Sequence, residues 1–259
     1  MKYKTCWISD LHLGCNKSQV HLIYKFLKEN EFETLYLVGD IIDIWRMKQS
    51  GFLNAKAGQQ HINIIQRILK LAKKGTHVWY IYGNHDEFVS NFIDEHNEFG
   101  NIRFAEKVVH TSQDGKRYIV IHGHQFDLIT RYHPWISQIG DSGYEALVWI
   151  NRIYNQVRYA FGFGYWSLSK YIKVKVKKAA SFISNYADSV AKYAKDHDCD
   201  GIICGHIHCA EIKTIHNKKY INCGCWTDLS SCNAVVETES GELVMINYGE
   251  KQIVEKCLN

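Results

Sequence analysis

Five short polar clusters in this chain could do chemistry together: Asp10-Leu11-His12, Gly39-Asp40, Gly83-Asn84-His85-Asp86, His122-Gly123-His124 and Gly205-His206-Ile207-His208. Carboxylate, amide and imidazole groups are hard or borderline ligands, suited to Mn²⁺, Fe or Zn²⁺ rather than to copper or an iron–sulfur cluster. In the Asp-X-His and His-X-His pairs, side chains two residues apart share a face and can converge on one ion. The glycines at 39, 83, 123 and 205 remove a Cβ where backbone must approach closely. Any one of these histidines or aspartates alone reads as a cap or a satisfied core group. Five clusters in one register read as a metal centre.

The register comes from the elements. Each cluster follows a short apolar run: Thr5–Ser9, Thr34–Val38, His77–Tyr82, Tyr118–Ile121 and Gly201–Cys204. Open α/β sheets gather their ligands beyond the carboxyl ends of such strands. Between the runs lie segments of helical periodicity, the alternation expected of a layered α/β fold. Ser18 is placed to cap a helix that buries Val20, Ile23 and Leu27, and Ile62, Ile65, Leu69 and Ala72 form a second stripe that Gly75 ends. After Cys204 the pattern shortens to close-spaced strands, Ile212–His216, Lys219–Asn222, Ala234–Glu237 and Leu243–Asn247.

The reading is one domain over residues 1–259, with a helical insertion at about 125–193. That stretch is too long for a connection and has helical spacing of its own, first at Leu147, Val148, Ile150, Ile153, Tyr154 and Val157, later at Phe182, Ile183, Tyr186 and Val190. With 46% apolar and 22% charged residues the chain can bury a sizeable core, and a net charge of +4 does not by itself imply nucleic-acid binding. Nine cysteines, an odd count without a charged-then-apolar leader, point to a reducing, cytoplasmic setting with thiols as small buried groups. Six of them crowd Cys199–Cys232. A structural zinc on Cys204, Cys209, Cys223 and Cys225 is the minor alternative, since no C-X-X-C pair supports it.

The set Asp10-X-His12, Gly39-Asp40-X-X-Asp43, Gly83-Asn84-His85-Asp86, His122-Gly123 and Gly205-His206-X-His208 resembles the signature of the calcineurin-like metallophosphoesterases. The resemblance covers Trp7 to about Asn222 and implies a four-layer α/β/β/α sandwich. It also implies two divalent ions, most readily Mn²⁺ with Fe or Zn²⁺ as alternatives. Asp40 would bridge them, with Asp10, His12 and His208 on one ion and Asn84, His122 and His206 on the other. A metal-bridging hydroxide would be the nucleophile. His85 would contact the phosphate or protonate the leaving oxygen, and Asp86 would orient His85. Asp43 is either a support behind the ligands or a strand-end cap. His124 competes with His122 as ligand, contacts substrate, or does neither.

The insertion bears on the substrate. From Ala146 to Ala187 it has no Asp or Glu, and basic residues, among them Arg152, Arg158 and Lys170, interleave with aromatics such as Tyr165 and Trp166. Such a segment suits an anionic head group on an apolar tail, a membrane surface rich in anionic lipid, or nucleic acid; it also suits a solvated basic face over a buried aromatic one. Gly39-Asp40-Ile41-Ile42-Asp43-Ile44-Trp45, His122-Gly123-His124-Gln125-Phe126-Asp127 and Tyr165-Trp166-Ser167-Leu168-Ser169 resemble the subgroup related to UDP-2,3-diacylglucosamine pyrophosphohydrolase. That implies hydrolysis of a lipid-linked nucleotide diphosphate to UMP and a lipid monophosphate, in lipid A synthesis, with the insertion as a lid over acyl chains. Peripheral association with the inner membrane face and no obligate protein partner go with it. The alternatives are a generic phosphodiesterase, a nuclease or a cyclic-nucleotide phosphodiesterase, and, against the full ligand set, a non-catalytic scaffold.

Overall fold

The computed structural model describes residues 1–44, 56–92, 98–129, 158, 162 and 168–249. They fall into two compact units, one of residues 1–125 with 189–259, the other of residues 126–188.

The first unit is built on two sheets. One has seven strands: β1 (Lys2–Ile8), β2 (Glu31–Val38), β3 (His77–Ile81), β4 (Glu98–Phe99), β5 (Ile102–Ala105), β11 (Asn233–Glu237) and β12 (Leu243–Asn247), in the order β12-β11-β1-β2-β3-β5-β4. The other has β6 (Lys107–Thr111), β7 (Arg117–Ile121), β8 (Gly201–Cys204), β9 (Glu211–Ile215) and β10 (Lys218–Asn222), in the order β6-β7-β8-β10-β9. Strands β1, β2, β3 and β5 run parallel, as do β7, β8 and β10, while β11, β12, β4, β6 and β9 add antiparallel pairs.

The central strands are apolar on both faces because both are covered. In β1, Cys6 and Ile8 join the core beneath the helices while Trp7 faces the other sheet; in β2, Leu35 and Leu37 alternate in the same way with Tyr36 and Val38. Trp7, Tyr36, Val38 and Ile81 meet Tyr118, Val120, Ile203 and Ile221 of the second sheet. Fully burying a large apolar side chain such as Ile8 or Leu35, both 0% exposed, stabilises by roughly 1.5–3 kcal/mol.

Helices α1 (Val20–Glu29) and α2 (Lys56–Lys73) cover the outer face of the first sheet. The parallel step from β7 to β8 requires a crossover, and α3 (Leu168–Asp196) supplies its end. Within the first unit, Val190, Ala191 and Ala194 are its buried positions. The result is the expected four-layer α/β/β/α sandwich.

Several local expectations are corrected. Ser18 does not cap α1: its hydroxyl donates to the Leu11 carbonyl at 2.7 Å, so it ties down the loop carrying Asp10 and His12. The buried face of α1 is Leu22, Ile23, Phe26 and Leu27. In α2 the buried stripe is Ile64, Ile68, Leu71 and Ala72, and Leu69 is exposed, so the face is turned from the predicted one. Strands β4, β5 and β6 escaped the sequence reading: β4 has two residues, and β6 alternates exposed with half-buried positions, giving no apolar run. The first stripe expected of the insertion, Leu147 to Val157, lies outside the described residues.

Candidate metal centre

Because β1, β2 and β3 are parallel neighbours, as are β7 and β8, their carboxyl ends deliver all five clusters to one edge of the sandwich. There the chain leaves regular geometry. Asp10, His12, Asp40, His206 and His208 all have positive φ, between 46° and 71°. Non-glycine residues in that region carry a cost of order 1–3 kcal/mol each, tolerated where the surrounding structure fixes them. The pairs two residues apart therefore converge through turns, not through the extended backbone on which a shared face was argued.

Two glycines show how tight the edge is. A methyl at Gly83 would collide with Asp40 Oδ1, and one at Gly205 with Asp10 Oδ2 and Ser9 Oγ. Backbone amides use that proximity. His85 N–H donates to Asp40 Oδ1 at 2.8 Å and His206 N–H to Asp10 Oδ2 at 3.0 Å. One oxygen of each carboxylate is thus fixed by backbone and the other faces imidazoles.

The structure brings the side chains into three groups whose ligand-type atoms lie within 4.8 Å of one another: Asp10, His12 and His208; Asp40, His122 and His206; and His12, Asp43 and His85. Asp40 Oδ2 lies 3.4 Å from His122 Nε2 and 3.8 Å from His12 Nε2, so it stands between the first two groups. His208 Nε2 is 3.1 Å from Asp10 Oδ1. His122 Nδ1 is 3.0 Å from the Val38 carbonyl. That contact places the ring proton on Nδ1 and leaves the Nε2 lone pair for the site. His122 Nε2 and His12 Nε2 are both buried without a hydrogen-bond partner. Orphaned imidazole nitrogens beside ionised carboxylates are what a divalent cation satisfies, so the donor set fits such an ion.

Burial alone would raise the Asp10 carboxyl, but His208 outweighs it and holds Asp10 at about 2. Asp40 is likewise driven below the ordinary carboxylate range, His122 overcoming burial. Burial would lower His122; Asp40 instead lifts it to about 9. His208 also moves up against burial, through Asp10 and then a hydrogen bond with Cys225. Both aspartates are therefore ionised at neutral pH, and ions must displace protons from the histidines to bind.

The other sequence candidates are distributed unevenly. Asn84 is exposed on the loop after β3, between Gly83 and the half-exposed His85. His122, not His124, stands in the ligand groups, and the His124 ring lies 5.5 Å from that of His122 and 6.4 Å from that of His206. The role expected of Asp86 is corrected. Its buried carboxylate does not support His85; it accepts from the N–H groups of Ile41 at 2.8 Å and Gly83 at 2.6 Å, and from the Tyr80 hydroxyl at 2.7 Å. The carboxylate beside His85 is that of Asp43, whose Oδ2 is 3.4 Å from His85 Nδ1 and 3.5 Å from His12 Nδ1. Of the substrate candidates, Arg152, Tyr165 and Trp166 lie outside the described residues, and Arg158 and Lys170 belong to the second unit.

Sequence reasoning missed two participants. Tyr80 braces Asp86, and nothing in its strand context marks it out. Cys225 helps to hold the His208 ring above its ordinary pKa, a link hidden by the sequence distance between them. The cysteine-zinc alternative finds no counterpart: among the described residues the metal-ligating groups contain no cysteine, and Cys204, Cys223 and Cys225 are buried thiols outside any disulfide.

The sequence model of the family described as "Calcineurin-like phosphoesterase" matches residues 3–210. A UDP-2,3-diacylglucosamine hydrolase of Shewanella piezotolerans is 19% identical over 262 residues, covering 95% of this chain and all of that protein. One from Wigglesworthia glossinidia brevipalpis is 21% identical over 238 residues, 88% of each chain. Among solved structures, a hypothetical protein of Pyrococcus horikoshii OT3 is 12% identical with a TM-score of 0.49, covering 100% of this chain and 95% of that one.

Proposed function

We propose, for a chain that belongs to the calcineurin-like phosphoesterase family and is a metal-dependent phosphoesterase, that it hydrolyses an amphipathic phosphate diester or diphosphate at a two-ion centre. The observation that carries the two-ion reading is the position of Asp40 Oδ2, within 3.8 Å of a histidine nitrogen from each of two ligand groups. Asp10, His12 and His208 would hold one ion and His122, His206 and Asn84 the other, with Asp40 between them. Bound there, Mn²⁺ or a similar ion would supply Lewis acidity toward a phosphoryl oxygen and toward the attacking water.

The chain's own groups do the rest. The amides of His85 and His206 hold the two carboxylates in place, and the Val38 carbonyl sets the His122 tautomer. His85 is half-exposed at the mouth, with Nδ1 toward Asp43 and Nε2 4.0 Å from Asp40 Oδ2. From there it would contact the phosphoryl group or give a proton to the leaving oxygen. Asp86 is a brace for the Asp40 loop.

UDP-2,3-diacylglucosamine is the substrate to test first. Two relatives named as hydrolases of this compound extend over 88% or more of both chains compared, and the aromatic stretch from Ala146 to Ala187, which has no Asp or Glu, suits a lipid-linked anion. A cytoplasmic location with peripheral contact to the membrane face goes with that substrate; no helix among the described residues is long and apolar enough to cross a membrane. Mass spectrometry after incubating the Mn²⁺-loaded protein with UDP-2,3-diacylglucosamine is the test. UMP and the lipid monophosphate are the expected products. Turnover of bis-p-nitrophenyl phosphate without UMP would leave a generic phosphodiesterase.

A further inference from the structure

Asn222 ends β10 opposite Cys204, the last residue of β8, and is fully buried at the edge where the metal loops begin. Its Nδ2 donates to the Gly205 carbonyl at 2.7 Å, and its Oδ1 accepts from the Gly224 N–H at 3.0 Å. A longer Nδ2 contact reaches the Tyr220 hydroxyl at 3.3 Å. These partners fix which way the amide points. A flipped group would set oxygen against the Gly205 carbonyl and NH₂ against the Gly224 N–H.

The Gly205 carbonyl also accepts from the Ile207 N–H at 2.9 Å, and His206 between them has φ 71°. A three-residue turn closed in this way, with its central φ near about +75°, is rare and strained. Here its apex is a residue of the metal-ligating groups. The peptide group entering the apex is gripped at both ends. Its carbonyl is held by Asn222, and its N–H, that of His206, donates to Asp10 Oδ2 at 3.0 Å. On the other side of Asn222, the Gly224 carbonyl accepts from Ser9 Oγ at 2.9 Å, and the Trp226 N–H donates to the Asp10 carbonyl at 3.1 Å. One buried amide thus ties the turn that carries His206 to the segment docked on the strand end that carries Asp10.

We propose that Asn222 is a positioning residue for His206: its Nδ2 holds the carbonyl that closes the turn, so that the imidazole stays with Asp40 and His122. The inference rests on the reading of His206 as a ligand. Asn222 touches no ion itself and acts through the backbone of the turn. Without the amide, the strained turn keeps only its own internal bond and relaxes, carrying the ring away from its partners. Asn222→Asp separates the two halves of the contact. It preserves size and the acceptor for the Gly224 N–H, but it turns an oxygen toward the Gly205 carbonyl.

Titration of the 259-residue chain with Mn²⁺, following each binding step by calorimetry and Tm alongside, tests this in wild type, Asn222→Ala, Asn222→Asp, His206→Ala and Asn30→Ala. Asn30 is the control because it is also a buried amide, donating to the Phe26 carbonyl at 2.8 Å, but it lies at the opposite, amino-terminal end of β2. His206→Ala identifies the step that depends on His206. The expected result is that Asn222→Ala and Asn222→Asp weaken that same step about 10–100-fold. The other step moves less, because Asp10 keeps its backbone contacts to Gly39 and Trp226. Asn30→Ala lowers Tm and leaves both steps unchanged. Binding like wild type in either Asn222 variant, while His206→Ala loses a step, overturns the positioning role and leaves the ligand reading standing. Equal weakening of both steps, matched by Asn30→Ala at the same loss of Tm, or failure of both Asn222 variants to fold, reduces Asn222 to packing and overturns the proposal as well. If His206→Ala keeps both steps, the ligand reading itself fails and the proposal with it.

Discussion

Two buried histidine–carboxylate clusters lie in the first unit of this protein, and they are built differently. Between the sheets, His110 Nε2 faces Glu237 Oε2 at 3.3 Å, and Glu237 accepts from the Thr5 hydroxyl and the Gln113 N–H, each at 2.8 Å. The Tyr36 hydroxyl lies 3.2 Å from His110 Nδ1, and the Trp7 ring meets His110 edge-on. Thr5, Tyr36, His110 and Glu237 all sit in regular strands. At the carboxyl edge, by contrast, three carboxylates converge on several imidazoles, and five of the residues there have positive φ. The first cluster joins two sheets through residues of regular strand geometry, although its His110 Nε2 is also buried without a hydrogen-bond partner. The second has a donor set that divalent cations would satisfy. Burial, residue type and an orphaned ring nitrogen do not by themselves separate a site from a structural network; backbone strain and the convergence of several carboxylates do.

Substitutions can break this contrast at either end. The largest effect is expected from Asp40→Asn or Asn84→Ala, which should abolish hydrolysis of bis-p-nitrophenyl phosphate and lower metal content measured by mass spectrometry; Glu237→Gln should alter neither. Undiminished activity in both edge variants would remove the basis for the contrast. Next in size is Gly83→Ala. Its Cβ forces Asp40 aside, so weaker metal binding should accompany a stability loss of about 1–3 kcal/mol in denaturant unfolding. Glu237→Gln should cost a similar or smaller amount, roughly 1–3 kcal/mol, with metal stoichiometry intact. A change in stoichiometry there would mean the inter-sheet cluster is not purely structural.

The smallest and most graded effect is that of pH on the metal-free protein. The Asp10 carboxyl is depressed, so its stabilisation is present above its usual 3.8 and is lost as pH falls toward about 2. His122 is raised, so its contribution is present below its usual 6.5 and is lost as pH climbs through about 9. Thermal unfolding without metal should therefore weaken from pH 6.5 to 9. Saturating Mn²⁺ should reverse that trend, because the ion requires neutral His122 and binds better as the proton leaves. A metal-free stability that rises over the same range would contradict the His122–Asp40 pairing.

Much of this edge was legible in the sequence because it obeys a simple rule: an apolar strand, then an aspartate, glycine or histidine, at five places. The alternation of layers followed from the same runs. What was not legible depended on contacts between distant positions. Asp86 looked like a partner for its neighbour His85, yet its oxygens point back to the amides of Ile41 and Gly83. Asp43, left open between support and cap, lies against both His12 and His85. Ser18 had the right type and place for a helix cap and instead binds a carbonyl seven residues earlier. The turn of the α2 face came from several marginal positions, where Ile62 and Ile65 are half-buried and compete with Ile64 and Ile68 for the core.

The central claim is that Asp40 stands between two ions. Anomalous diffraction from Mn²⁺-soaked crystals, collected near the manganese edge, tests it most directly. Two peaks are expected, one among Asp10, His12 and His208 and one among His122, His206 and Asn84, both within coordination distance of Asp40. A single peak, or two peaks of which one lies away from Asp40, would contradict the account.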